Sequence, residues 1–152
     1  MLFKKDTPLI DIKEVKLKKE YAFMYENFVV SSQQTLYVLL EESNEKIDAL
    51  KFDPIIYKYG YPNDEVNHPL TKYGLGFYGL FKVDNSPWMT EIKDNNKSHH
   101  RHNDSMFDNY KHYIAKFKDI TIEILCTEFE EVELTKQDLA NFVTEQISYL
   151  KK

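Results

Sequence analysis

The segment Tyr110–Phe129 constrains the fold more than any other part of the chain, because apolar and polar residues alternate along it. Alternate residues of a β-strand point to opposite faces of a sheet. A two-residue turn at Lys118 and Asp119 would bring three apolar pairs onto one face of a hairpin, and a shift of one residue would destroy that agreement. The predicted pairs are Tyr113 with Ile124, Ala115 with Ile122, and Phe117 with Ile120.

The composition predicts one folded domain that spans residues 1–152. The chain has 152 residues, a length that suffices to bury a core, and 14% of them are aromatic. Disordered chains are poor in aromatic residues. The formal net charge of −5 argues against nonspecific binding of nucleic acid, because phosphate backbones attract basic surfaces. We therefore expect no nucleic-acid partner.

The absence of targeting and membrane signals predicts a soluble, cytoplasmic protein. No apolar run approaches the roughly 18 residues that a membrane-spanning helix needs, and the N-terminal residues do not resemble a secretory signal. The one cysteine, Cys126, excludes an internal disulfide and lies on the apolar face of the hairpin, where we expect a buried and inert thiol. No phosphate-binding or dinucleotide-binding motif opens a helix, so we expect no cofactor.

Helix signals occur in three places. Ser86 and Pro87 predict a helix start, since serine caps free amides and proline suits the first helical position. Thr135 can cap a helix over residues 136–150, whose apolar stripe would cover a sheet face. Residues 33–45 fit either a helix with a capping box or a strand, and the capping box favours the helix. These patterns predict an α+β fold in which an antiparallel sheet of four to six strands carries the C-terminal amphipathic helix on one face.

Residues 52–79 are rich in proline, tyrosine and phenylalanine and hold all four glycines, which predicts mostly loop and turn. A long loop in a compact domain is often functional. Tyrosine and tryptophan give large contact areas with a polar tip, so this loop is a candidate binding surface. The alternative is that its aromatic rings pack back onto the sheet. The candidate binding residues are Tyr59, Tyr61, Tyr73 and Tyr78 of this loop, together with Trp88 beyond it.

An acidic run follows the second strand of the hairpin, and Glu130 and Glu131 are its candidate binding residues. Grouped carboxylates attract basic partners. A solvated strand edge is the simpler explanation of the same residues.

The histidines suggest two kinds of chemistry. His99 and His102 lie in a short histidine-rich segment and are candidate metal ligands. Their spacing matches no closed zinc motif, and an exposed polar loop is the simpler explanation. His68 and His112 are candidate general bases, and Glu123 is the carboxylate that could orient one of them. Hydrogen-bonded structural histidines are the alternative.

Two functions are consistent with these observations. The preferred hypothesis is a small intracellular binding protein that contacts another protein through the aromatic loop and the acidic strand end. The alternative is a small histidine-dependent or metal-dependent hydrolase. The sequence leaves open whether the protein is an enzyme.

Overall fold

The computed structural model describes residues 9–24, 28–60 and 62–152. Within these ranges, one antiparallel sheet of seven strands is accompanied by helices α1 (Pro87–Asn96) and α2 (Lys136–Ser148). The strands are β1 (Asp11–Glu14), β2 (Phe28–Ser31), β3 (Leu36–Ser43), β4 (Lys46–Gly60), β5 (Gly79–Asp84), β6 (Lys111–Lys116) and β7 (Thr121–Thr135). Their order across the sheet is β1-β5-β6-β7-β4-β3-β2. The predicted mixture of a sheet with helices is confirmed, but the predicted number of strands was too low.

The predicted hairpin is confirmed as β6 and β7. Ala115 pairs with Ile122, and Tyr113 pairs with Ile124. At the turn, the amide of Phe117 donates a hydrogen bond of 2.9 Å to the carbonyl oxygen of Ile120. The register therefore follows the alternation of apolar residues, and β7 continues beyond the hairpin to pair with β4 along almost its full length.

The helix predicted over residues 33–45 was wrong, because this segment forms β3. Leu36 and Val38 lie fully buried on the same face, opposite Phe52 and Leu50 of β4. Burying alternate residues in the sheet outweighs the local capping signal, since helix propensity is a weak preference that tertiary packing overrides. Together with the two short edge strands β1 and β2, this segment accounts for the larger sheet.

The prediction of loop over residues 52–79 was wrong for its first part, because β4 continues to Gly60. The register shifts on both sides of Pro54, so the missing amide of the proline falls at an irregular place in the ladder. The remainder, residues 62–78, is irregular apart from a 3₁₀ turn at Thr71–Tyr73 that ends at Gly74 with a left-handed φ of +98°. Glycine adopts this conformation without steric cost.

Different segments cover the two faces of the hairpin. On one face, Tyr113, Ile122 and Ile124 belong to the main core, together with Phe23 from the segment that follows β1. On the other face, Ile114 packs with Leu70 and Leu75 of the irregular segment 62–78. This second face also carries His112 and Glu123. The loop that the sequence identifies as a candidate binding surface therefore covers the candidate catalytic residues.

Helix α2 follows the last strand, as predicted, and packs at the end of β7 that is distant from the hairpin turn. Leu139 contacts a small cluster that includes Val132 and Leu134, and the ring of Phe142 lies 5.3 Å from that of Tyr37. The later part of the apolar stripe is exposed, as Ile147 shows. Neither helix in the described ranges is long and apolar enough to cross a membrane.

We expect Ile124→Ala to lower the free energy of unfolding by about 2–5 kcal/mol, because it removes a fully buried side chain from the main core. Ile147→Ala is the matched control. This isoleucine is 58% exposed on α2, so its truncation should change stability by less than about 1 kcal/mol. Urea unfolding followed by circular dichroism measures both values. Equal losses in the two variants would contradict the assignment of the core.

Candidate functional site

Buried polar side chains are concentrated on the loop-covered face of the hairpin. Burying polar groups costs free energy unless they are hydrogen-bonded, so a cluster of them marks either a polar anchor or a reactive site. Most of the buried polar residues within the described ranges lie around Glu123, and Asp48 is the exception. The buried members near Glu123 are His68, Ser86, His112, Lys116 and Thr121.

The carboxylate of Glu123 lies between two imidazole rings. Its Oε1 is 2.9 Å from Nε2 of His112, and its Oε2 is 3.0 Å from Nε2 of His68. The side chain of Glu123 is only 14% exposed, and both histidines are buried. The structure therefore brings together the three residues that the sequence proposes for acid–base chemistry.

The hydrogen-bond partners of the two histidines indicate which ring nitrogen carries the proton. The amide of Leu70 donates to Nδ1 of His68 at 3.0 Å, so the proton of a neutral His68 is on Nε2 and faces Glu123. Nδ1 of His112 lies 2.7 Å from Oγ of Ser86. That oxygen also accepts a hydrogen bond from the amide of Met89 at 3.1 Å. Ionised Glu123 can only accept, so the proton of a neutral His112 is on Nε2, and Nδ1 accepts the hydrogen bond of the Ser86 hydroxyl. One directed chain of hydrogen bonds results, from Ser86 through His112 to Glu123.

The register of the sheet positions two members of the chain. Glu123 pairs with Ile114 across the hairpin, so His112 is its diagonal neighbour on the same face. His112 also pairs with Val83 of β5. Three residues after Val83, Ser86 caps α1, and the intervening Asn85 has a left-handed φ of 57°. This strained strand-to-helix turn places the Ser86 hydroxyl against the histidine.

Hydrogen bonding controls the ionisation of Glu123. Burial alone would raise the pKa of this carboxyl, but the hydrogen bonds from His112 and His68 outweigh burial and hold the pKa far below its usual value of 4.5. Glu123 is thus an anion at neutral pH. Such a carboxylate fixes the ring orientation of His112 and stabilises a positive charge that forms on that ring.

Trp88 of α1 and Lys58 of β4 pack beside the hydrogen-bonded residues His112 and Glu123. The indole ring of Trp88 meets the ring of His112 edge to face at 5.2 Å. Nζ of Lys58 lies 4.0 Å from the centroid of the same indole ring, and Lys58 pairs with Glu123 across the strands. Trp88 is therefore half-buried beside the catalytic candidates, where it packs on His112.

A cleft of about 380 Å³ opens at the Ser86 end of the hydrogen-bonded chain. It lies between the end of β5, the first turns of α1 and residues 107–112, and it reaches both Ser86 and His112. The volume is within the range of small-molecule sites, about 300–1,000 Å³. A small ligand in this cleft would have access to the serine hydroxyl and its neighbouring imidazole.

The candidate metal ligands lie in a separate hydrogen-bonded loop. Nδ1 of His102 is 2.8 Å from the side-chain nitrogen of Asn96, and its Nε2 is 2.6 Å from Asp104. His99 stacks on His100 at 4.6 Å. Within the described ranges, no hydrogen bond or ring contact of His99 or His102 reaches Glu123, and no cluster of three or more potential ligands could hold a metal ion.

Several aromatic candidates are exposed on the loop and on the neighbouring end of β4. Tyr59, Tyr73 and Tyr78 are each more than a third exposed, and Phe77, which the sequence analysis did not select, is 60% exposed. The hydroxyl of Tyr78 donates to Asp64 at 2.7 Å. The fifth aromatic candidate, Tyr61, lies outside the described residues.

The acidic candidates lie at the other end of β7. Lys51 pairs with Glu130, whereas Gly60 pairs with Thr121. Nine residues of strand separate these positions along β7, which corresponds to about 30 Å. Glu130 forms an ion pair with Lys51 at 3.7 Å, and Glu131 accepts a backbone hydrogen bond from Lys18. The aromatic and acidic candidates therefore do not form one continuous surface.

Sequence reasoning selected Ser86 only as a helix cap and missed its contact with His112. The sequence around Ser86 identifies a helix cap, but a cap motif does not indicate which side chain of another strand will contact the capping hydroxyl. Cys126 is buried as predicted, and burial raises the pKa of its thiol to about 12. A thiol with that pKa is a poor nucleophile at neutral pH.

No protein-family model matches the chain, and no curated protein or solved structure matches it either. The interpretation of the site therefore rests on its own geometry.

We expect Glu123→Gln to lower the free energy of unfolding by about 3–5 kcal/mol at pH 7, because it removes a buried charge that both histidines contact. The folded-state pKa of Glu123 is depressed, so its stabilisation is complete well above pH 4.5 and is lost as the pH falls below that value. Urea unfolding between pH 7 and pH 3 measures both effects. The glutamine variant should lose less stability over this acid range than the wild type.

Glu130→Gln is the control for this measurement, because Glu130 also pairs with a neighbour but its side chain is 65% exposed. Exposed ion pairs contribute about 0–1 kcal/mol, so this variant should retain the pH profile of the wild type. If Glu123→Gln and Glu130→Gln had the same profile, the proposed electrostatics of the buried network would be wrong.

Proposed function

We propose that the protein is a small hydrolase that cleaves an ester or a related acyl bond with Ser86 as the nucleophile. The observation that carries this proposal is the hydrogen-bonded chain from Ser86 through His112 to Glu123, which ends at a cleft. A hydroxyl, an imidazole and a carboxylate in this order are the components of serine-dependent acyl transfer, which is identified by geometry and not by sequence position.

The reaction follows from the direction of the hydrogen bonds. Oγ of Ser86 attacks the carbonyl carbon while its proton passes to Nδ1 of His112. His112 then gives this proton to the oxygen of the leaving alcohol, and an acyl-serine forms. Water attacks the acyl-serine, again with loss of a proton to Nδ1, and Ser86 recovers its proton as the carboxylic acid leaves. The net reaction consumes one ester and one water and yields one acid and one alcohol.

Glu123 and His68 act as positioning residues in this scheme. Glu123 accepts a hydrogen bond from Nε2–H of His112, which leaves Nδ1 unprotonated and able to receive the serine proton. His68 holds the second carboxylate oxygen and is itself fixed by the amide of Leu70. The imidazole is used with Nδ1 toward the serine and Nε2 toward the carboxylate, and either ring nitrogen can transfer a proton.

The start of α1 supplies the electrostatic environment for the carbonyl oxygen. Amides in the first turn of a helix lack intrahelical partners and favour negative charge. Pro87 directly follows Ser86 and has no amide proton, so the residue after the nucleophile provides no donor. The amide of Met89 donates to Oγ of Ser86 and that of Thr90 donates to the carbonyl oxygen of Ser86. Stabilisation of the oxyanion would therefore rest on the amide of Trp88, and we expect a slow enzyme compared with hydrolases that have a complete oxyanion hole.

Covalent labelling tests the role of Ser86. An uncharged alkyl fluorophosphonate should modify Ser86 of the wild-type protein, with loss of fluoride, and mass spectrometry of peptides locates the adduct. His112→Gln should slow labelling by about 100-fold or more, because it removes the general base. Ser86→Asn should abolish the adduct while it retains a side-chain oxygen that can cap α1.

Ser148 is an internal control in the same spectra, because it is exposed and its hydroxyl donates to the carbonyl oxygen of Glu145 without contact to an imidazole. Equal modification of Ser86 and Ser148, or no modification of Ser86, would contradict the proposal.

A second candidate function is recognition of another protein through the exposed aromatic area. The observation that favours it is the exposure of Tyr73, Phe77 and Tyr78 on an anchored loop. The rings of Phe77 and Tyr78 lie 6.3 Å apart, and neighbouring exposed apolar side chains are a feature of interaction sites. His68 anchors the loop through Glu123, so binding would require little loss of loop entropy. The acidic residues 30 Å away are not part of this surface.

Affinity capture from cells of the source organism tests this second function. We expect a partner to bind the wild type and to be lost when Tyr73 and Phe77 are both changed to serine, because large exposed aromatic rings contribute most to such contacts. Changing Val143 and Ile147 to serine is the matched control, since these two residues are comparably exposed on α2. Equal capture by all three proteins would argue against the aromatic surface.

A further inference from the structure

We infer that the substrate of the Ser86 site is a small molecule that carries a negative charge. The inference rests on the proposed hydrolase function and concerns the same cleft. What carries it is the charge of the cleft wall, which differs in sign from the charge of the whole chain. Three lysines and two aspartates line the cleft, whereas the chain has a formal net charge of −5.

The cleft charges are not all equally available to a ligand. Nζ of Lys82 lies 3.5 Å from Asp84, so these two residues largely neutralise each other. Lys93 and Lys111 have no ion pair within 4 Å in the part of the chain that the structure describes. Lys93 also interacts at longer range with the carboxylate of Asp104, which does not line the cleft. The remaining acidic group of the wall is Asp108. Among the groups that line the cleft, three lysines against two aspartates leave a surplus of one positive charge.

The positions of the lysines suit a substrate whose negative charge lies at a distance from the bond that is cleaved. Lys93 lies in the second turn of α1, and Lys111 begins β6 on the face of the strand opposite to His112. Both lysines line the cleft. Both side chains are half-buried, so solvent screens them less than fully exposed lysines. Met89 and Phe107 provide apolar wall between the polar groups. An acyl chain that ends in a carboxylate fits this combination of an apolar wall, a positive rim and a nucleophile.

The size of the cleft restricts the substrate class further. A volume of about 380 Å³ is near the lower end of small-molecule sites. A protein segment or a long lipid chain would require a longer groove. The structure therefore favours a short ester or thioester whose acyl group carries an anionic tail.

A matched pair of fluorophosphonates tests the inference on the intact protein. One probe carries a hexyl chain, and the other carries a 5-carboxypentyl chain of nearly the same length. The carboxylate probe should label Ser86 about tenfold faster at low salt, because attraction by unpaired ammonium groups raises its local concentration. This preference should decrease when the ionic strength rises from about 0.01 M to about 1 M, which shortens the Debye length from about 30 Å to 3 Å.

Substitution of the two free lysines should remove the preference without loss of the nucleophile. In the double variant Lys93→Ala, Lys111→Ala, the two probes should label Ser86 at similar rates. Lys72→Ala is the matched control, because Lys72 is exposed on the aromatic loop, where it lies over Tyr73 and outside the cleft. It should retain the full preference for the carboxylate probe.

The outcomes separate the two proposals. If both probes label Ser86 at equal rates, or if the double variant keeps the wild-type ratio, the anionic substrate is refuted and the hydrolase remains. If neither probe labels Ser86, the proposed hydrolase fails and the substrate inference fails with it. Faster labelling by the carboxylate probe that depends on Lys93 and Lys111 supports both.

Discussion

The carboxylate of Glu123, held between His68 and His112, is the interaction on which the rest of this face depends. A buried anion must be paired or hydrogen-bonded, because an isolated charge is too costly to bury. Each of its two oxygens has one imidazole partner. One partner belongs to β6 and the other to the irregular segment 62–78. The requirement to satisfy one carboxylate therefore fixes the covering loop on the sheet and the orientation of His112 at the same time.

The polar network and the acidic residues lie at opposite ends of the long strand β7. Its first residues pair with β6 and carry Glu123, while its later residues pair with β4 alone on the way to α2. The acidic residues at that distant end form ordinary surface ion pairs, such as Glu133 with Lys46 at 3.8 Å. Such pairs contribute little to stability. The chemistry-bearing groups therefore lie together at one end of the strand, and the solvated charges lie at the other.

The sequence predicts those parts of the structure whose signals are local. The alternation in β6 and β7 determines their register, and the Ser86–Pro87 and Thr135 signals locate the starts of both helices. Residues 33–45 were misassigned because a local cap motif competes with burial that depends on the distant strand β4. The convergence of His68 and Glu123, which are 55 residues apart, depends on the path of an irregular loop. No local pattern encodes that contact, and Ser86 was missed as a partner of His112 for the same reason.

The same serine caps a helix and contacts a histidine, and the energetic requirements of these two roles differ. A cap needs only an oxygen that accepts the amide of Met89, and this contact leaves the hydroxyl proton unused. The neighbouring pair Phe81 and Ile114 shows that the same face can be filled by apolar side chains. Well-packed apolar residues often stabilise a buried position as well as an ion pair or better. Packing under the cap therefore does not by itself require His112 and Glu123, because two apolar side chains would fill the same space. The position of Ser86 and His112 at a cleft with a positive rim favours a role for the hydroxyl in chemistry.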